Sequence, residues 1–138
     1  MGLATEELGR LINARVPQGI DIVAATADSR RVTPGSLFFA QRGVRSDGHT
    51  YARQAAAKGA AAILGDRQGV MMLEGVPYIF SSNPRRDFGI IAHRLAGDPT
   101  HTLNVIGVTG TNGKSSTVYL IHRILRKAGY RALCTSIG

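Results

Sequence analysis

The sequence predicts an α/β fold: a small N-terminal α/β domain over residues 1–99, then over residues 100–138 the first strand, glycine loop, helix and strand of a truncated parallel-sheet domain. Three observations carry this. Short β-branched or apolar runs alternate with Ala- and Leu-rich helical runs, the pattern of parallel sheets with helical crossovers. Gly97-Asp98-Pro99-Thr100 ends a helix with breakers and polar residues, as a domain boundary does. Beyond it, a Val- and Ile-rich run enters a glycine-rich loop directly followed by a helical pattern.

Thr5, followed by Glu6, Glu7, Leu8, Leu11 and Ile12, reads as a capped helix ending near Pro17-Gln18-Gly19. Asp21 to Ala27 suits a strand, and Val32-Thr33-Pro34-Gly35 a turn. Ser36 to Ala40 is a short buried strand, and Arg42 to His49 a loop. Tyr51 to Lys58 is helical, with Gly59 as its stop. Ala60 to Leu64 and Tyr78 to Ser81 are strands, and a helix over Arg86 to Ala96 opens after Pro84. In the second domain Leu103 to Thr109 is a strand, Lys114 to Lys127 a helix closed by Gly129, and Arg131 to Thr135 the start of another strand. Ile121, Ile124, Leu125 and Ala128 form that helix's apolar side.

Composition narrows the functional classes. With 43% hydrophobic residues a core is available, and 6% aromatics without Trp leave Ala, Val, Ile and Leu to fill it. No apolar run approaches the roughly 18 residues of a membrane span, and the N-terminus lacks a signal-peptide profile. Cys134 is the sole cysteine, so no internal disulfide forms, which fits a reducing cytoplasm. The net charge is +8, but the basic residues are scattered and do not alternate with aromatics. Anionic small molecules are therefore favoured over nucleic acid as partners. All nine acids lie between Glu6 and Asp98, so residues 101–138 contain no carboxylate side chain.

Gly110-Thr111-Asn112-Gly113-Lys114-Ser115-Ser116 has the context of a phosphate-binding loop. Glycines let backbone N–H groups turn toward an anion, and the following helix adds its positive N-terminal end. Lys114 would reach the outer phosphates of ATP, and Ser115 would offer a hydroxyl to Mg²⁺. The spacing departs from the strict motif, because Val108 stands where its first glycine belongs, between Gly107 and Gly110.

Val108 to Ser116 resembles the nucleotide loop of the Mur ligases, which join amino acids to the peptidoglycan precursor. Folylpolyglutamate and cyanophycin synthetases carry similar loops. The front of the chain favours the former: Asp28-Ser29-Arg30 through Ala40, Gly43, Asp47-Gly48-His49 and the Ala55 to Leu64 segment are similar to the N-terminal domain of MurE and MurF ligases. Thr111-Asn112 resembles the MurE type, although Lys114-Ser115-Ser116 stands where MurE proteins more often have Lys-Thr-Thr.

The resemblance implies an ATP-dependent acid–amino-acid ligase of peptidoglycan synthesis, acting through an acyl phosphate of UDP-MurNAc-L-Ala-D-Glu. The amine of diaminopimelate or lysine then forms the amide. It implies that Ser29 contacts the nucleotide and that Val44, Arg45 and Ser46 lie beside uracil and diphosphate. Asp47 and His49 are expected to hold the loop's shape, and His93 and His122 to be structural or surface residues. The chain is expected to be the front portion of such a ligase and to lack a complete active site, with no acid after the phosphate loop to bind Mg²⁺. No catalytic residue is assigned. A fragment of a folate- or cyanophycin-type ligase, and a non-catalytic UDP-sugar or nucleotide-binding module, remain open alternatives.

Overall fold

The computed structural model describes residues 2–43 and 47–135, which divide into two compact units, Met1–Thr102 and Leu103 onward. The front unit is built on a five-stranded sheet in the order β3-β4-β5-β7-β6. Its strands are β3 (Ala24–Thr26), β4 (Ser36–Ala40), β5 (Ala62–Gly65), β6 (Met72–Leu73) and β7 (Val76–Phe80). Strands β3, β4, β5 and β7 run parallel, and β6 closes the edge antiparallel to β7. A separate antiparallel pair joins β1 (Leu3–Ala4) to β2 (Asp21–Ile22). Helices α1 (Thr5–Ile12), α2 (Ala52–Ala57) and α3 (Pro84–Leu95) complete the unit.

The central strands are apolar on both faces because both faces are covered. Alternation along each strand sorts the side chains. Leu37, Ala62, Leu64 and Ile79 point to one face, where Leu8, Ile12 and Ile91 of α1 and α3 bury them. Phe38, Ala40, Ile63, Val76 and Tyr78 point to the other, against Ala52 and Ala55 of α2. Phe39 and Phe88 stack with ring centroids 4.7 Å apart, fastening α3 to β4. Such a pair contributes about 0.5–1.5 kcal/mol beyond its buried area.

Local chemistry sets the element ends, sometimes differently from the sequence expectation. Thr5 is the first helical residue rather than a cap. Its hydroxyl accepts the Ile20 N–H at 2.9 Å and lies within 3.2 Å of the Pro17 and Ile20 carbonyls, so it ties down the following loop. Helix α1 stops early, at Asn13, whose φ of 49° is left-handed. The strand expected over Asp21 to Ala27 breaks at Val23, whose N–H donates to Gly35 O; β2 pairs with β1, while β3 joins the main sheet. Strand β6 was not legible as a strand. It is the short arm of a hairpin through Glu74 and Gly75, both at positive φ, as a tight two-residue turn demands. Asn83 caps α3 by accepting the Arg86 N–H, with Pro84 in the first turn.

In the second unit, helix α4 spans Lys114–Lys127, as the pattern predicts. The flanking strands expected over Leu103 to Thr109 and Arg131 to Thr135 do not form among the described residues. A parallel strand needs a hydrogen-bonded neighbour and cover on both faces. Here Leu103, Val105, Ile106 and Leu133 are exposed, and no described strand pairs with either segment. The parallel sheet of this α/β protein therefore resides in the front unit.

Candidate functional site

Two places gather the residues singled out in the sequence. The first is the carboxyl edge of the front sheet, where ligands bind in open parallel α/β sheets. Pairing of Ala40 with Gly65, and of Gly65 with Phe80, brings the exits of β4, β5 and β7 to one level. Just beyond β3, Asp28 caps a 3-10 turn over Ser29–Arg31 by accepting the Arg30 N–H at 2.9 Å. The same carboxylate accepts side-chain bonds from Arg30 Nε, shared between both its oxygens, and from Arg30 Nη2. These bonds, the side-chain ones foremost, lower its pKa to about 2. Ser29 is buried, and its hydroxyl donates to Gln54 Oε1 at 2.6 Å, so toward any ligand it can serve only as an acceptor. Gln54 is a member of this cluster that sequence reasoning missed, having only an Ala-rich helix around it.

Beyond β4, the Gly48 N–H donates to Gln41 O at 2.9 Å, and Arg42 and Asp47 form an antiparallel bridge. Val44, Arg45 and Ser46 lie outside the described residues. Asp47 accepts from the His49 N–H at 3.0 Å and from Arg67 Nη2 at 3.0 Å, and lies 2.6 Å from His49 Nδ1. The backbone bond from His49, then its ring, hold the Asp47 carboxyl well below the usual carboxylate range. The far ring nitrogen, Nε2, meets the Tyr78 hydroxyl at 2.8 Å, and that hydroxyl accepts the Arg67 N–H at 3.0 Å. Burial pushes the Tyr78 phenol up. Neither Tyr78 nor Arg67 stood out in the sequence, because nothing local marks a residue joined across strands.

The second place is the glycine loop. Gly110 (φ 147°) and Gly113 (φ 76°) take backbone conformations that side chains resist. Gly113 is the N-cap of α4 and no side chain caps the helix. Thr117 N–H makes the first helical bond, to Gly113 O, so the N–H groups of Lys114, Ser115 and Ser116 have no partner among the described residues. Free N–H groups and the helix dipole favour an anion there. Lys114 Nζ folds back over the loop and donates to Gly110 O at 2.7 Å. Thr111 and Asn112 lie in the bend between Gly110 and Gly113.

The histidines on helices serve structure. His93 bridges Asp98 and Thr100, and His122 Nε2 contacts Ala132 O at 3.1 Å. Among the described residues no three His, Cys, Asp or Glu side chains gather as a metal site, and no helix is long and apolar enough to cross a membrane.

A parallel sheet with a loop-bearing carboxyl edge, and a glycine loop opening a helix, define an α/β protein of the kind that binds ligands at such edges and loops. The family model described as Mur ligase family, catalytic domain, matches residues 21–93, and the chain belongs to that family. The matched stretch lies within the front unit. UDP-N-acetylmuramoyl-L-alanyl-D-glutamate–2,6-diaminopimelate ligase from Geobacillus thermodenitrificans is 49% identical over 109 residues, 79% of this chain and 22% of that protein. A solved structure of an enzyme of the same name superposes with a TM-score of 0.68 at 25% identity, covering 94% of this chain and 26% of the other. The Thermotoga maritima MurF ligase, solved in complex with ADP, gives 0.55 at 26% identity over 75% of this chain and 23% of its own. The chain thus spans about a fifth to a quarter of the length of these relatives.

Proposed function

We infer that this chain supplies the nucleotide-gripping parts of an ATP-dependent ligase that extends UDP-MurNAc-L-Ala-D-Glu by an amino acid, diaminopimelate or lysine. In this reading residues 1–99 hold the UDP end of the precursor and residues 100–138 hold ATP. The observation that carries it is the uncapped first turn of α4 beside Lys114, in a chain of the Mur ligase family. Lys114 and the N–H groups of Gly113 to Ser116 would hold the phosphates, and the Ser115 hydroxyl would be one ligand to Mg²⁺, which neutralises phosphate charge when bound. The relatives' names support the precursor and favour diaminopimelate as the amino acid. The lack of any side-chain carboxylate over residues 101–138 argues for binding without turnover by these residues alone.

At the front, Ser29 would accept a hydrogen bond from the uridine, and Val44, Arg45 and Ser46 would lie beside the uracil and diphosphate, where Arg45 would pair with the diphosphate. Calorimetric titration with UDP tests this. Weaker binding in Ser29→Ala and Arg45→Ala than in wild type is expected; equal affinity in all three removes these residues from the site.

A further inference from the structure

We propose that His49 is a positioning residue, a clamp that fixes the base of the 42–47 loop to the middle of the sheet and so sets the affinity for the uridine-diphosphate end without touching it. The inference rests on the front-unit reading above and adds to it the residues that hold the site in shape.

The geometry is that of a built relay. The His49 side chain is only 2% exposed, yet both ring nitrogens are engaged. With a proton on Nδ1, the ring donates to Asp47, Nε2 accepts from the Tyr78 hydroxyl, and the tyrosine oxygen accepts the Arg67 N–H. Every donor in that chain meets an acceptor, which a buried polar network requires. The relay joins three strands: Asp47 and His49 follow β4, Arg67 follows β5, and Tyr78 stands within β7. The Arg67 guanidinium returns to Asp47, closing the ring of contacts around the loop base.

Close packing leaves no slack around it. A Cβ at Gly65 would lie 2.7 Å from His49 Nε2 and 2.6 Å from Ala40 O. A Cβ at Gly48 would lie 2.8 Å from Gln41 N. Two glycines thus let the β4 exit, the β5 exit and the imidazole meet. A buried neutral imidazole has one donor and one acceptor nitrogen, and here each meets a partner. This one is held on both sides, and its Nδ1 addresses the side chain of Asp47, whose backbone pairs with Arg42 across the loop base. Loop bases fixed in this way preorganise binding groups, which lowers the ordering cost when a ligand arrives.

The test uses Tyr78→Phe, which removes one hydroxyl and keeps the ring, and His49→Gln as a second variant should the first not fold. Deuterium exchange over residues 42–48 is compared with that over α3, and UDP is titrated into each protein. Loss of the two hydrogen bonds made by the Tyr78 hydroxyl, with His49 Nε2 and the Arg67 N–H, predicts exchange and UDP dissociation constant both rising roughly two- to tenfold, with α3 unchanged. Unchanged exchange over 42–48 overturns the clamp. Faster exchange with unchanged UDP affinity overturns its role in binding. A wild type that binds no UDP defeats the front-unit reading itself, and the purpose of the clamp with it, while the exchange data still report whether the loop base is held.

Discussion

The front unit buries its sheet on both faces, with Leu37, Ile63, Leu64 and Ile79 essentially inaccessible to water. From Leu103 onward no described residue is buried, and Tyr119, Leu120 and Ile124 of α4 are more than half exposed. Yet both regions carry their expected helices, and the glycine loop has the backbone shape that anion binding asks for. Two sources of order explain this. The front unit is specified by burial, which acts between distant residues. The loop and α4 are specified locally: Gly113 sets the turn, the run from Lys114 to Lys127 propagates the helix, and Arg126 with Lys127 at its last turn suit the dipole.

The comparison breaks first at the core. Leu64→Ala removes a fully buried side chain between β4 and β7 and is expected to cost about 2–5 kcal/mol in urea unfolding of the front unit. A cost below about 0.5 kcal/mol would mean that the two-faced core is not what holds this sheet.

A smaller effect is expected at the loop base. Asp47 has a depressed folded pKa, so its stabilisation is complete above its ordinary value of 3.8 and is lost as pH falls through the lower folded value. Asp47→Asn should cost roughly 1–3 kcal/mol at neutral pH. It should also flatten the loss of stability below about pH 4. Urea midpoints at pH 7 and pH 3 check both. An acid limb as steep as that of wild type would show that the carboxylate is not stabilised by His49 and Arg67.

The smallest effect belongs to the second region. Ile124 is 66% exposed, so Ile124→Ala should change stability by no more than about 0.5 kcal/mol, measured by the same unfolding. A loss of 2 kcal/mol or more would place Ile124 in a packed interface.

What was legible in the sequence follows this division. Strand β4 was read end to end because Ser36 to Ala40 is short, apolar and bounded by a Pro-Gly turn, and α4 because its signals are local. The misreadings occur where a distant partner decides. Thr5 looks like a cap, but its hydroxyl is claimed by Pro17 and Ile20; Asp21 to Ala27 looks like one strand, but pairing with two different neighbours bends it at Val23. The segments flanking the glycine loop have strand-like residues but find no strand to pair with among the described residues. At the site, Asp47 and His49 were legible as residues that shape a loop, while Tyr78, Arg67 and Gln54 enter it through tertiary contacts.

The central claim is that the two regions serve two nucleotides: phosphates of ATP at the glycine loop, the uridine end of a precursor at the front sheet. Calorimetric titration of the whole chain with Mg-ATP and, separately, with UDP tests it in wild type and Lys114→Ala. The expected result is that Lys114→Ala loses most of the ATP heat and keeps its UDP affinity, with no steady phosphate release from wild type. Equal ATP affinity in the two proteins, or loss of both ligands together in a folded variant, would contradict it.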